Sequence, residues 1–295
     1  MAISLGGGGS ASQVNETIDI NSAENLITLE DGRVYLKGGV TETDLTTYPD
    51  ATASFGYTGT SFSVASQAIT PVGIAWDGSH FWVVDDYQNR VYKYNSAGVY
   101  QSFSFAVGPQ GTAPTDIVWD GTYFWVINNA VSPYKRVSKY SAAGVYQNVF
   151  WEYNAVTTMD GEGLAWDGTY FWVVGNSTDT IRKFNAAGVD QGVSYSVAAQ
   201  ATNPKGITFD GTYLWVVGTA SGKAHKYNTS GVYQNKSFAV NSQDNNTQGI
   251  VSVGDDFWTV GKTTDAAYKY SNQISVDSVS SGSAAAGFQN YVRIK

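Results

Sequence analysis

Short runs of aromatic and aliphatic residues repeat five times along this chain. Each run contains one tryptophan, and these tryptophans lie 43, 47, 43 and 43 residues apart. A repeat of about forty residues that is made of short aromatic strands and shows no helical pattern is typical of one blade of a β-propeller. The repeated tryptophans are Trp82, Trp125, Trp172, Trp215 and Trp258. Five aligned copies favour packing between blades as their role.

Within the first copy the pattern predicts four strands, which we letter a to d in chain order: 73–76, 80–84, 90–94 and 100–107. Asp77-Gly78 joins strands a and b, and a turn ending at Gly98 joins c and d; both supply the positive φ that tight hairpins require. The fifth copy lacks strand d, whereas Ser61–Val64 resembles the strand d motif at 237–240. We therefore expect an all-β, five-bladed β-propeller of four-stranded blades that is closed by an N-terminal strand.

The segments outside the repeats differ from them in composition. We expect residues 57–270 to form the propeller, residues 1–56 a small β-rich N-terminal arm, and residues 271–295 a C-terminal extension that ends in a strand. The N-terminus has no basic segment followed by an apolar core, and no apolar run approaches the roughly 18 residues that span a bilayer. The sequence therefore predicts no signal peptide and no membrane insertion.

Composition narrows the possible partners. The formal net charge is −8, and only 14% of the residues are charged. An acidic protein repels a phosphate backbone, so we expect no nucleic-acid partner. The chain has no cysteine, which excludes thiolate chemistry and cysteine-ligated zinc.

The connections between strands fall into two classes. The a–b and c–d turns are nearly the same in every copy, whereas the b–c and d–a loops differ in length and content. In a propeller the two classes lie at opposite ends of the ring, which we call the turn face and the loop face. Varied loops on a rigid scaffold commonly bind ligands, although unconstrained drift would also vary them. The candidate contacts on the loop face are Tyr87, Asn89, Tyr134, Lys135, Asn176, Asp179 and Asn245. The two tyrosines are the best candidates for stacking on a ligand.

The sequence carries no recognisable catalytic motif. The two histidines, His80 and His225, have no partner at ligand spacing, and there is no nucleophile elbow. We therefore predict a protein that is not an enzyme and has no cofactor. One alternative stays open, since Asp116, Asp160 and Glu162 lie near the starts of a strands and could gather to hold Ca²⁺.

Two family resemblances add to this picture. The stretch DGTYFWVVGNSTDTIRKFNAAG resembles the blades of NHL and YncE-like propellers. The segments MAISLGGGGSASQVNE and LEDGRVYLKGGV are similar to the N-termini of structural and tail-fibre proteins of tailed bacteriophages, and NYVRIK is similar to their C-terminal strand. The second resemblance implies a virion component that is assembled in the host cytoplasm. Its N-terminal arm would dock on other virion proteins, and it would form a homo-oligomer, a trimer by analogy with phage fibres.

Three functions are compatible with these features. The first is a phage tail-fibre or adhesin-type protein whose propeller attaches to a glycan or protein of the host surface. The second is a purely structural virion protein whose propeller packs on other components of the particle. The third is a free five-bladed lectin or glycosidase.

Overall fold

The computed structural model of the chain describes residues 55–129, 135–153 and 159–271 in full. It also describes the backbone of residues 2–4, 17–19, 26–28, 34–36, 54 and 272–273. The chain divides into two compact units. One is Phe55–Asn272, and the other joins Met1–Ser54 with Gln273–Lys295. The predicted C-terminal strand at the end of 271–295 lies outside the described residues.

Between residues 2 and 36, the described part of the second unit forms two short antiparallel pairs. Strand β1 (Ala2–Ser4) pairs with β2 (Thr17–Asp19), and β3 (Leu26–Thr28) pairs with β4 (Val34–Leu36). These strands occur in the segment for which the sequence predicts a β-rich arm.

The larger unit is a ring of five antiparallel sheets with four strands each, which confirms the predicted five-bladed propeller. The first blade consists of β6 (Pro71–Trp76), β7 (His80–Asp85), β8 (Arg90–Asn95) and β9 (Tyr100–Ala106). The second consists of β10 (Pro114–Trp119), β11 (Tyr123–Asn129), β12 (Lys135–Ser141) and β13 (Tyr146–Glu152). The third consists of β14 (Gly161–Trp166), β15 (Tyr170–Gly175), β16 (Thr180–Asn185) and β17 (Asp190–Ser196).

The remaining two blades follow the same order. The fourth consists of β18 (Pro204–Phe209), β19 (Leu214–Gly218), β20 (Lys223–Tyr227) and β21 (Tyr233–Ala239). The fifth consists of β22 (Thr247–Val253), β23 (Asp256–Gly261), β24 (Ala266–Gln273) and the N-terminal strand β5 (Ser54–Ser63). The first strand of every blade packs against the first strands of its neighbours, so these five strands surround a central channel. A 3-10 helix at Gly108–Gln110 is the helix found in the described residues.

The N-terminal strand closes the ring as the sequence predicts. It runs over Ser54–Ser63, longer than the four residues expected, and lies beside β24 at the outside of the fifth blade. Phe62 packs its ring 5.4 Å from Phe81 of the first blade and 5.5 Å from Trp258 of the fifth. The strand therefore completes the fifth blade as its fourth strand and packs an aromatic ring into the joint between the first and last blades.

Aromatic side chains fill the wedges between blades. Trp82 is 1% exposed, and its ring centroid lies 4.6 Å from that of Phe124 in the next blade. Trp125, Trp215 and Trp258 contact the corresponding phenylalanine of the next blade at 4.8–5.0 Å. Such edge and tilted ring contacts add to the large apolar area that each tryptophan removes from water.

The c–d turns require glycine for two reasons. Gly98, Gly144, Gly188 and Gly231 all have φ between +73° and +81°, a region that disfavours other residues. A Cβ atom at each would also lie 2.1–2.4 Å from a strand d aromatic side chain of the preceding blade. The turn face therefore repeats because it forms the joints between blades.

Candidate functional site

The loop face has a regular backbone frame. At this face strand b ends and strand a begins, and one hydrogen bond ties the two ends together in every blade. A residue at the end of strand b or directly after it donates its N–H to the carbonyl of the residue before strand a, at 3.1–3.3 Å. The pairs are Asp86 with Thr70, Asn129 with Ala113, Asn176 with Asp160, Thr219 with Asn203, and Lys262 with Asn246. Five equivalent backbone positions therefore present five different sets of side chains around the ring.

Among the described residues, three ion pairs cross the boundaries between blades on this frame. In each pair a lysine of one blade meets a carboxylate of the neighbouring blade. The pairs are Lys135 with Asp160, Lys205 with Glu162 at 3.1 Å, and Lys262 with Asp86 at 2.6 Å. We call these six residues the loop-face cluster. Glu162 and Lys205 lie on the innermost strands β14 and β18, so this pair faces the mouth of the channel.

Glu162 is the most strongly perturbed carboxyl of the cluster. Its side chain is 13% exposed, and that of Lys205 is 19% exposed. Burial raises the pKa of Glu162, and the charge of Lys205 counteracts this only in part. The Asn129 side-chain amide lies 3.5 Å from the same carboxyl. A carboxyl with a raised pKa beside an ammonium group can hold or release a proton, which is the property that acid–base chemistry requires.

Asp116 occupies a different place from the one that the calcium hypothesis needs. It is 1% exposed on β10, at a position where the other inner strands have Gly73, Gly163, Gly206 and Gly249. Its carboxylate accepts N–H bonds from Ile117 at 2.8 Å and from Leu164 of the next blade at 2.9 Å. Burial raises the pKa of Asp116 well above its ordinary value.

These contacts leave the three proposed calcium ligands with separate partners. Asp116 binds backbone amides, whereas Asp160 and Glu162 each pair with a lysine. Within the residues that the structure describes, no group of three His, Cys, Asp or Glu side chains is arranged to hold a metal ion.

The predicted contact residues divide into two groups. Tyr87 is 72% exposed and Asn245 is also exposed on the loop face, where the side-chain oxygen of Asn245 accepts a hydrogen bond from the Thr263 hydroxyl at 2.6 Å. The Asn176 amide lies 3.4 Å from the Asn203 side chain, and Lys135 belongs to the loop-face cluster. Tyr134 lies outside the described residues.

Asn89 and Asp179 have structural contacts that the sequence analysis missed. Both adopt positive φ, +51° and +47°, at the end of a b–c loop. The Asn89 side-chain oxygen accepts the N–H of Ala113 at 3.0 Å, and that of Asp179 accepts the N–H of Asn203 at 2.9 Å. These bonds tie the b–c loop to the following d–a loop. Asn or Asp immediately before a strand is the signal, because these residues tolerate left-handed backbone and bond nearby amides.

Sequence reasoning also missed three members of the loop-face cluster: Asp86, Lys205 and Lys262. The sequence analysis compared only the loops of the five copies. Lys205 and Glu162 lie outside the loops, because they are the second residues of their inner strands. At that position the five blades carry Val72, Thr115, Glu162, Lys205 and Gln248. Such variation at one position of an otherwise regular strand is the signal that marks the channel mouth.

Solved structures share this fold. The glutaminyl cyclase of Myxococcus xanthus matches with a TM-score of 0.59 and 12% identity, over 74% of this chain and 96% of that one. The PQQ-bound aldose sugar dehydrogenase of Streptomyces coelicolor matches with a TM-score of 0.52 and 12% identity, over 76% of this chain and 99% of that one. No protein-family model matches the chain, and comparison with curated proteins gave no match. Of the two family resemblances, the one to NHL and YncE-like propellers is thus confirmed at the level of the fold.

The same structures contradict the prediction that the chain is not an enzyme, since both are named as enzymes and both have this fold. The reason for the error is physical. A propeller brings together side chains from several blades, so its reactive groups are distant in sequence and form no short motif. Likeness at 12% identity shows the fold alone and transfers no activity. No helix in the described part of the chain is long and apolar enough to cross a membrane.

Proposed function

We propose that this protein is an attachment protein of the phage tail-fibre type and that its loop face binds a glycan or protein of the host surface. The observation that carries the proposal is the contrast within the loop face. Its backbone frame repeats in every blade, but its side chains do not. A rigid frame with non-repeating polar groups suits recognition of one particular partner.

Tyr87 is the first candidate contact. Its side chain is 72% exposed, while its N–H donates to the Thr70 hydroxyl at 3.0 Å, so the backbone is held while the ring stays open to solvent. An aromatic face of this kind stacks on apolar faces of a ligand, and the nearby amides and ions of the loop-face cluster supply polar contacts.

The termini support the virion setting of this proposal. Their resemblance to phage tail-fibre and structural proteins suggests that residues 1–56 dock on other virion proteins. A homo-oligomer, a trimer by analogy, and location in the tail or surface fibre follow from the same resemblance.

A second candidate function rests on Glu162. A partly buried carboxyl whose pKa is raised, beside Lys205 at the channel mouth, has the properties of a general acid in bond cleavage. In this alternative the loop face binds a saccharide and also cleaves it.

One experiment separates these functions. The full-length protein is incubated with host cells, and bound protein, inhibition of phage adsorption and released saccharide fragments are measured. Attachment predicts saturable binding and inhibition without fragments. Fragments that disappear in Glu162→Gln, with cell binding retained, would establish the second function. Neither binding nor inhibition by folded protein would overturn the proposal and favour a purely structural role.

A further inference from the structure

The loop face of the first blade departs from the repeat at two neighbouring positions. Ile69 directly precedes Thr70 and Tyr87 directly follows Asp86, and these two inner residues make the backbone bond that recurs in every blade. Ile69 is 47% exposed and Tyr87 is 72% exposed. Their described counterparts in the other blades are small, polar or buried: Thr112, Met159, Thr202 and Asn245 for Ile69, and Ser177, Ala220 and Thr263 for Tyr87. One blade therefore exposes two large apolar side chains on adjacent, hydrogen-bonded segments.

Side-chain hydrogen bonds hold these two segments together. The Thr70 hydroxyl accepts the N–H of Tyr87 at 3.0 Å. The buried Asp85 carboxylate accepts the N–H of Thr70 at 2.7 Å and that of Gln88 at 2.6 Å. The Gln88 side chain in turn donates to the carbonyl of Gln67 at 2.8 Å. The backbone under both apolar side chains is thus fixed in advance, so binding of a ligand costs little conformational entropy.

Polar groups of the fifth blade adjoin this pair across the joint where the ring closes. Lys262 contacts Asp86, the neighbour of Tyr87, at 2.6 Å. Exposed Thr263 donates its hydroxyl to the side-chain oxygen of Asn245 at 2.6 Å. This bond does not use the amide N–H groups of Asn245, which can donate to a ligand. Hydrogen-bonding groups therefore lie beside the apolar pair.

The small apolar area suits a sugar ring better than a protein surface. Among the described residues, Ile69 and Tyr87 are the large apolar side chains exposed on the loop face, since the others lie in c–d turns or on β13. A protein interface buries about 800 Å² on each partner around an apolar core, which two side chains do not provide. One face of a pyranose presents C–H groups that pack on an aromatic ring, while its hydroxyls bond to polar groups at the edge.

The charges at this joint favour an uncharged saccharide. Asp86 already balances the charge of Lys262. Asp85 and Asp244 are buried at the same joint, where their carboxylates accept backbone N–H bonds. An acidic sugar would be repelled by these carboxylates, whereas a neutral one would not.

We propose that Ile69 and Tyr87 form a subsite for one pyranose ring of a neutral glycan. The C–H face of the sugar lies on the Tyr87 ring beside Ile69, and its hydroxyls bond to Asp86, Lys262 and Asn245. This inference rests on the attachment function proposed above and names the class of ligand that the loop face binds.

The test measures binding of the full-length protein to immobilised surface polysaccharide that is extracted from host cells and separated by anion exchange into neutral and acidic fractions. We expect saturable binding to the neutral fraction and loss of this binding after periodate has cleaved the sugar diols. Tyr87→Ala should weaken binding about threefold to tenfold, the size of a lost stacking contact. Ile69→Ser should weaken it less, and Tyr87→Trp should retain it. Val189→Ser changes a 57% exposed side chain of the turn face and is the matched control, which should bind as the parent does.

Binding to intact host cells is measured in parallel, so that the subsite and the attachment function can fail separately. Binding to cells but not to the neutral polysaccharide would overturn the subsite and leave attachment standing. Undiminished polysaccharide binding by Tyr87→Ala, shown to be folded by thermal unfolding, would also overturn the subsite. Binding to polysaccharide but not to cells would overturn the attachment function alone, and binding to neither would overturn both.

Discussion

The turn face and the loop face are built from the same repeat, but they differ in which contacts recur from blade to blade. On the turn face, the aspartate of the a–b turn accepts the indole N–H of the strand b tryptophan at 2.6–2.7 Å in four of the five blades. On the loop face the backbone bonds between strands repeat, and Asn89 and Asp179 make equivalent side-chain bonds, but each blade presents a different set of side chains from this frame.

This difference distinguishes structural repetition from functional variation. Contacts that recur in every blade join strands and blades. The fold requires them wherever the binding site lies. Contacts that occur once, such as the pair between Lys205 and Glu162, are not required by the repeat. We infer that substitutions on the turn face affect stability first, whereas substitutions on the loop face affect binding first.

The largest effect is expected at the joints between blades. In Gly144→Ala the new Cβ would lie 2.4 Å from Phe105 of the preceding blade, at a φ of +73°. The backbone strain costs about 1–2 kcal/mol, and the overpacking about 1–3 kcal/mol more. Denaturant unfolding measures the loss.

Gly121→Ala is the matched control for this substitution. Gly121 also lies in a turn of the second blade, with a φ of +97°, but no atom lies within 4 Å of its added Cβ. Gly121→Ala should therefore lose only the stability that the backbone strain costs, about 1–2 kcal/mol. Equal losses in the two variants would contradict the role of the glycine in joining blades.

A smaller contrast is expected between aspartates of the two faces. Asp120 accepts hydrogen bonds from the backbone of Thr122 and Tyr123 and from the Trp125 indole. Removing it in Asp120→Ala leaves these donors without an acceptor and should cost about 2–3 kcal/mol. On the loop face Asp160 pairs with Lys135 and is 38% exposed, so Asp160→Ala should cost about 0–1 kcal/mol. Comparable unfolding midpoints for the two variants would remove the distinction between the faces.

The pH dependence of stability should also have opposite signs on the two faces. The pKa of Glu162 is raised by burial, so its contribution to stability is complete below the unfolded value of about 4.5 and is lost as pH rises through the folded value. Glu162→Gln should therefore become more stable relative to the parent as pH rises.

Asp77 provides the opposite case. Its pKa is lowered from 3.8, so its contribution is present above that value and is lost as pH falls through the folded value. Asp77→Asn should therefore fall further behind the parent as pH rises. Thermal unfolding from pH 3 to pH 8 measures both differences, and slopes of the same sign would refute this assignment.

The fold could be predicted from the sequence because every blade repeats the same interactions. Even the closing strand could be predicted, since Phe62 matches Phe238 of the fourth blade. The start of this strand could not be predicted, because Phe55 has no counterpart in the repeat. In the structure its ring lies 5.5 Å from Trp215 and 4.9 Å from Phe257, at the joint between the fourth and fifth blades.

The candidate site could be predicted only in part. Tyr87 was recognisable as an aromatic residue in a variable loop, and it is exposed as expected. The pairing of Lys262 with Asp86 was not, because it joins residues 176 positions apart and depends on closure of the ring. Single interactions between blades leave no periodic trace in one sequence, so only the folded structure reveals them.

The most direct test of the account compares binding by variants of the two faces. Tyr87→Ala and Asn245→Ala change exposed side chains of the loop face, whereas Val99→Ser and Val145→Ser change exposed side chains of the turn face, 58% and 60% accessible. Binding of each double variant to host cells is measured at equal thermal stability. We predict weaker attachment for the loop-face variant, by about 0.5–1.5 kcal/mol for the stacking contact, and unchanged attachment for the turn-face variant. Unchanged attachment for the loop-face variant, or a loss confined to the turn-face variant, would contradict the claim that the loop face is the binding surface.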